Sequence, residues 1–220
     1  MSKKISALIA VRKGSKRIRN KNVRRFAGTS LLEIKLRQLM RVPGIDEIVV
    51  STDCKKMFEI ATSRGASAYV RDKKFSSDNV PMNHVYEHLA GLATNDHILY
   101  AHVTSPLLKD ASLEKCINEY QCLPRDCDSL ATVKKLQEYM WDDYGPLNYD
   151  PGRHPRSQDL PCVYALNFAV NMIPKSLMIR KRNIVGEKFH PVVLDQIESI
   201  DVDEEEDFKM AELLYREYNK

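Results

Sequence analysis

Glycine is scarce in this chain, with 8 in 220 residues. Only Gly14 falls between the first apolar segment and Gly28. That region therefore holds neither a G-x-x-x-x-G-K-S/T loop nor a G-x-G-x-x-G dinucleotide fingerprint. No G-x-S-x-G element occurs, and Ser105 precedes a proline, so a nucleophile-elbow hydrolase has no support. The cysteines, at 54, 116, 122, 127 and 162, are odd in number and never in C-x-x-C spacing. They read as reduced thiols of a cytoplasmic protein rather than a disulfide framework. No apolar run approaches the roughly 20 residues that span a bilayer. Met1-Ser2-Lys3-Lys4-Ile5 leads into an apolar strand without a signal h-region or cleavage site, so no membrane partner is expected. Repeats and low-complexity tracts are lacking too. Net charge is only +4, yet it is unevenly placed. Eight of the fourteen residues from Arg12 to Arg25 are Lys or Arg, whereas Asp201 to Asp207 is an acidic run. This asymmetry points to local anion and cation sites, not to a surface that coats nucleic acid.

What is present is an alternation of short apolar strands and amphipathic helices. A strand is predicted over about 5–11. Ser30-Leu31-Leu32-Glu33 reads as a capping box, with the Ser30 hydroxyl taking the N3 amide and Glu33 reaching back. Leu32, Leu36, Leu39 and Met40 continue as a helical stripe until Pro43-Gly44 stops it. Further strands are predicted at 47–51, 68–70, 97–103 and 129–133. Helices are predicted at 54–64 with Gly65 as its C′ residue, at about 82–93, and to about Gln121 with Asp110 as N-cap. Residues 72–81 read as a polar loop. A strand at 163–172, a short helix near 175–181 and a short strand at 192–194 follow. A last helix carries Phe208, Ala211, Leu214, Tyr215 and Tyr218. Repeated β-α-β units predict an α/β fold, a three-layer arrangement on a mostly parallel sheet, as one domain over residues 1–220. The regularity breaks at about 134–163, where Trp141, Tyr144, Tyr149, Gly145, Gly152 and four prolines fall. This long structureless stretch reads as an excursion with a functional or interface role.

Candidate chemistry gathers at strand ends. Leu8-Ile9-Ala10-Val11 runs directly into Arg12-Lys13-Gly14-Ser15-Lys16-Arg17-Ile18-Arg19-Asn20-Lys21-Asn22. Such a loop suits a polyphosphate. Gly14 lets backbone N–H groups approach, and the cations offset phosphate charge. Open α/β sheets also bind ligands beyond the carboxyl ends of their strands. A solvated basic loop or an RNA-contacting patch fits the same composition. Asp201 and Asp203, two apart on a predicted strand, share one face. They suit Mg²⁺ held by one or two carboxylates plus substrate phosphates. Acids from Asp203 to Asp207 equally suit a helix start. Thr104-Ser105-Pro106 ends a strand two residues after His102 and fits either an acceptor substrate or a plain turn. His84-Val85-Tyr86-Glu87-His88 matches an H-x-x-E-H zinc pattern. No third ligand motif follows it, and an exposed helix face or dimer contact is the better reading.

Together, the string Ile9 to Asn22 resembles the opening motif of the acylneuraminate cytidylyltransferases, the CMP-sialic acid synthetases. Val50-Ser51-Thr52-Asp53, Ser76-Ser77-Asp78, Thr104-Ser105-Pro106-Leu107 and Ser199-Ile200-Asp201-Val202-Asp203 follow in family order. Pro155-Arg156-Ser157-Gln158 resembles the stretch near the family's dimerisation excursion. The resemblance implies a Rossmann-like nucleotidyltransferase fold and a homodimer built through residues 134–163. It implies CTP and Mg²⁺ as reactants, an acidic small-molecule acceptor for CMP, release of pyrophosphate, and no nucleic-acid partner. By position it implies Arg12, Lys16 and Lys21 on the triphosphate, with Ala10, Val11, Gly14 and Ser15 beside the nucleotide. Asn22 would lie near ribose or base and Arg71 near cytosine. Asp201 and Asp203 would bind Mg²⁺, so that Arg12, Lys16, Lys21 and Asp203 form the catalytic set. His102, Thr104 and Ser105 would face the acceptor, joined by Arg156 and Gln158 reaching into the partner's site.

Departures from the family pattern cluster on the acceptor side. Lys13 stands for a common glycine and Arg19 for a frequent proline, so the nucleotide loop stays basic. His102 stands for glutamine, Leu108 for arginine, and Ala165-Leu166-Asn167-Phe168 for arginine-proline-asparagine-glycine. Cationic groups are thereby lost where the acceptor should sit. Cytidylyl transfer is expected, with sialic acid, another nonulosonate or keto-sugar acid, or a phosphonate as acceptor. A sugar-1-phosphate nucleotidyltransferase using UTP or another nucleotide, and a non-catalytic nucleotide- or RNA-binding protein, are the rival readings.

Overall fold

A computed structural model describes residues 2–77 and 79–218, so Asp78 of the Ser76-Ser77-Asp78 stretch lies outside the described residues. The elements run β1 (Ile5–Ala10), α1 (Leu31–Arg41), β2 (Glu47–Thr52), α2 (Lys55–Ser63), β3 (Ser67–Val70) and α3 (Met82–Ala90). They continue with β4 (His97–Ala101), α4 (Asp110–Gln121), β5 (Ser129–Leu136), β6 (Trp141–Asp142) and β7 (Gly145–Pro146). The last are β8 (Val163–Pro174), α5 (Lys175–Lys181), β9 (Phe189–Leu194) and α6 (Glu205–Tyr218).

Seven strands form one sheet in the order β3-β2-β1-β4-β8-β5-β9. β8 runs antiparallel to both of its neighbours, β4 and β5, while the other pairings are parallel. This is the expected Rossmann-like, mostly parallel sheet. β1 is apolar at nearly every position and buried up to Ile9, as a central strand covered on both faces must be. One face takes Leu32, Leu36 and Leu39 of α1, Met57 of α2, Leu113 and Ile117 of α4, and Phe208 of α6. The other takes Val85 and Leu89 of α3 with Leu177 and Met178 of α5. From β1 the chain builds outward through β2 to β3, then returns to place β4 on the opposite side of β1. That reversal opens a crevice beyond the carboxyl ends of β1 and β4, where sheets of this type take ligands.

Helix starts follow their sequence signals only in part. Ser30 caps α1, its Oγ accepting from the Glu33 amide at 3.3 Å. The Glu33 carboxylate accepts from the Thr29 and Ser30 hydroxyls, both at 3.1 Å, and from Arg64 at 3.0 Å. Asp110 is not an N-cap. Lys109 holds that place without a side-chain bond, and Asp110 instead takes Arg41 and Gln38 across to α1. The acidic stretch at 201–203 is not a strand, since no neighbour offers it a ladder. Its alternation survives nonetheless, with Val202 fully buried between the more open Asp201 and Asp203. The excursion is less structureless than its composition suggests. β5 runs on to Leu136 and pairs with the start of β8, and β6 and β7 form a small hairpin beyond them.

Candidate active site

The basic loop is pinned at both ends and in the middle. The Val11 amide donates to the Ser51 carbonyl at 3.0 Å, and the Lys13 amide to Asp53 Oδ1 at 2.7 Å. Ile18, the one long apolar side chain among the cations from Arg12 to Lys21, is fully buried and serves as the plug. Gly14 has φ of 88°, and a Cβ there would meet nothing within 4 Å. Its glycine is required by backbone conformation rather than by a crowded surface. Lys21 to Val23 form one 3-10 turn after Asn20, and both Lys21 and Asn22 are buried.

The C-terminal acids close on this loop. Lys21 Nζ donates to the Val202 carbonyl at 2.7 Å and reaches Asp203 Oδ1 at 3.3 Å. Arg17 bonds Asp203 at 2.7 Å and Glu204 at 3.1 Å. Arg24 grips Glu205 with two bonds of 2.6 and 2.7 Å. The Val202 amide donates to the Thr104 carbonyl at 2.8 Å, which ties the acids to the end of β4 as well. Asp201 sits at an accessible edge, yet surrounding protein raises its carboxyl above the usual range. The Thr104 hydroxyl and Lys21 oppose that rise, while Asp203 and Asp207 add to it.

A cleft of about 450 Å³ lies at the β1–β4 crevice. Ala10, Arg12, Ser15, Lys16, Lys21 and Asn22 line one side, and Tyr100, His102 and Thr104 the other. A larger depression of about 660 Å³ lies between α1 and α6, but neither the basic loop nor Asp201 and Asp203 face it. The remaining expected residues are placed differently. Val11 and Ser105 are buried, the Ser105 carbonyl taking Lys35 at 3.2 Å. Arg71 is buried and bonds Ser51 Oγ at 3.1 Å and the Ser51 carbonyl at 2.7 Å. Arg156 and Gln158 do not reach this chain's own cleft. Arg156 pairs with Asp159 at 2.8 Å on the excursion, and the Gln158 carbonyl takes Gln137. The H-x-x-E-H residues are occupied otherwise, Glu87 by Arg182 at 2.9 Å and His88 by stacking on Phe75 at 4.1 Å.

Two features escape sequence reasoning. Arg17, one basic residue among many in its loop, is the direct partner of Asp203. Lys35 lies on the buried face of α1, and its ammonium contacts Gln38 Oε1 at 2.7 Å and Ser105 O with no carboxylate in ion-pair range among the described residues. Burial pushes it down to about 7. His102 is pushed to about 4 by burial, with Lys35 and Lys21 adding to the effect. Its imidazole is therefore neutral near pH 7 and offers hydrogen bonds rather than charge.

Fold and cleft define the class first: a Rossmann-like α/β protein with a cleft lined by cationic side chains at the switch point of its sheet. Residues 6–144 match the family described as cytidylyltransferase, and the chain belongs to that family. It is 23% identical to the N-acylneuraminate cytidylyltransferase of Escherichia coli O18:K1:H7, a match covering all of this chain and 54% of that protein. It is 25% identical to the CMP-N,N'-diacetyllegionaminic acid synthase of Legionella pneumophila, over 96% of each. The chain thus spans about half of the first relative and nearly all of the second. Among solved structures, CMP:2-keto-3-deoxy-manno-octonic acid synthetase complexed with CTP superposes with a TM-score of 0.70 at 13% identity, covering 98% of this chain and 99% of that one. The 4-diphosphocytidyl-2C-methyl-D-erythritol synthase of Anaerococcus prevotii superposes with a TM-score of 0.69 at 18% identity, covering 97% and 96%.

Proposed function

We propose that this protein transfers CMP from CTP to an acidic sugar of the nonulosonate type and releases pyrophosphate. The observation that carries the reading is the meeting of Lys21 and Arg17 with Asp203 beside a cleft floored by Arg12 and Lys16. In this reading Arg12, Lys16 and Lys21 bind the triphosphate, helped by backbone N–H groups at Gly14 and Ser15. Asn22 borders the ribose, and Arg71 shapes the base end through Ser51. His102 and Thr104 face the acceptor.

Phosphoryl-type transfer asks for in-line placement and neutralised charge more than for covalent help. The acceptor's hydroxyl oxygen forms a new bond to the α-phosphorus. The bond from that phosphorus to its bridging oxygen breaks, and the electron pair leaves on pyrophosphate. The hydroxyl proton passes to water in the open cleft. The fixed cations of the loop hold the departing pyrophosphate in line.

Asp201 and Asp203 fit Mg²⁺. They are hard oxygen donors, and the raised proton affinity of Asp201 marks a carboxylate that gains from a nearby cation. Among the described residues no cluster of three or more such ligands exists, so phosphate oxygens would complete the shell. Bound there, Mg²⁺ would supply charge neutralisation and acidify the attacking hydroxyl.

The reading is tested by pyrophosphate release and by thermal shift with CTP, UTP, ATP and GTP in Mg²⁺. CTP alone is expected to support release, and at about 100 times its dissociation constant to stabilise by about 2.7 kcal/mol. Preference for UTP would favour the sugar-1-phosphate rival. Steeply salt-dependent RNA binding without pyrophosphate release would favour the binding-protein rival.

We also propose a homodimer formed through the excursion. Trp141, Tyr144 and Leu147 are 61%, 98% and 57% exposed there, an unusual concentration of large apolar side chains. Light scattering should give twice the chain mass, and Tyr144→Glu with Trp141→Glu should give the monomer. A monomeric wild type would remove this proposal. We further propose a cytoplasmic location, which the five unpaired cysteines support.

A further inference from the structure

Phe168 has φ of 56°, in the left-handed region that a bulky L residue rarely adopts. Core burial does not hold it there, because the residue is 39% exposed. A bulge in β8 does. The β5–β8 register shifts between Ala131 and Val133, and Thr132 fills the break. Thr132 Oγ1 donates to Asn167 Oδ1 at 2.7 Å and accepts from the Val170 amide at 3.0 Å. The Ala169 amide donates to Asn167 Oδ1 at 3.2 Å, and Asn167 Nδ2 donates to Ser199 Oγ at 3.1 Å. Five residues therefore fix a conformation that Phe168 itself disfavours. Bulges of this kind re-aim side chains beside active sites, and strain retained in a well-bonded frame marks functional positions.

The ring adjoins the wall of the cleft. Its centroid lies 6.1 Å from the His102 ring, which lies 5.0 Å from that of Tyr100, and both His102 and Tyr100 line the cleft. His102 Nε2 is buried without a hydrogen-bond partner. Opposite the cationic loop the cleft is thus lined by two rings, His102 and Tyr100, with the Phe168 ring next to His102, and all three are uncharged near pH 7. A wall of this composition suits the C–H face of a saturated sugar ring better than a second phosphate or carboxylate.

We propose that Phe168 determines acceptor specificity, its strained bulge holding an aromatic ring beside the cleft for the apolar face of the acceptor sugar. The inference rests on the reading of an acidic sugar acceptor given above. Phe168→Asn removes the ring while suiting the left-handed backbone, and Phe168→Tyr keeps the ring. Steady-state kinetics would use CTP with N-acetylneuraminate and with 2-keto-3-deoxy-manno-octonic acid, alongside melting temperatures. Phe168→Asn is expected to raise the acceptor KM about tenfold, leave the CTP KM within about twofold, and melt at or about 2 °C above wild type. Phe168→Tyr is expected to keep the wild-type acceptor KM. A residue that merely supported the fold would lower the melting temperature and would not separate the two KM values. An unchanged acceptor KM in Phe168→Asn, or a rise in the CTP KM instead, overturns the inference while leaving CMP transfer intact. If the wild type uses neither sugar, the acceptor reading fails and this inference fails with it.

Discussion

Asp203→Asn is expected to lower kcat by roughly 100-fold or more while changing the KM for CTP by less than about threefold. The substitution keeps the side chain's shape and one acceptor oxygen, so the bonds that seat Arg17 and Lys21 are weakened rather than erased. What it removes is negative charge. Lys21 at 3.3 Å loses its carboxylate partner, Arg17 at 2.7 Å is left with Glu204, and both become freer to attract a triphosphate. Ground-state binding should therefore hold or improve, while stabilisation of charge at the reacting phosphorus is lost. Pyrophosphate release measured across CTP and Mg²⁺ concentrations separates the two effects. Unchanged turnover at saturating Mg²⁺ would remove Asp203 from the chemistry.

The second large effect concerns stability. Phe26→Ala should destabilise the protein by about 3–5 kcal/mol, a large share of the 5–15 kcal/mol that typically holds a domain together. Phe26 is fully buried and meets Phe208 edge-on at 5.2 Å and Tyr215 at 5.6 Å. Arg24 lies over the Phe208 ring at 4.6 Å while holding Glu205. The aromatic cluster is thus the hinge pin between the basic loop and α6, just beyond the acids. Its loss should lower the urea midpoint and weaken Mg²⁺-dependent turnover together. A midpoint shift equivalent to less than about 1 kcal/mol would show that the loop is held from elsewhere.

The parts of the fold that were readable have local causes. The apolar run of β1, the Ser30 cap with the leucine stripe of α1, and the Pro43-Gly44 stop each act within a few residues, and each appears nearly where the pattern places it. The same holds for the basic loop, whose position after β1 follows from strand direction alone. What was not readable depends on partners far away in sequence. Asp110 looks like a cap until Arg41 and Gln38 on α1 claim its carboxylate. Residues 201–203 alternate like a strand, but the carbonyl that takes the Val202 amide belongs to Thr104, nearly a hundred residues earlier. Lys35 carries no signal at all, because a lysine on an amphipathic helix normally faces water. The bulge at Phe168 is hidden for a related reason: it needs Thr132 from the neighbouring strand. Clustering of charge was visible in the sequence; which cation meets which acid was not.

The clasp that Lys21 and Thr104 make on the backbone of Val202 also divides the chain into a part that attracts negative charge and a part that balances it. A fragment cut between Leu194 and Ile200 would keep all the strands described above and the basic loop, but Arg17 and Lys21 would lack the Asp203 carboxylate. Under the proposed function, such a fragment should still attract anions while releasing no pyrophosphate.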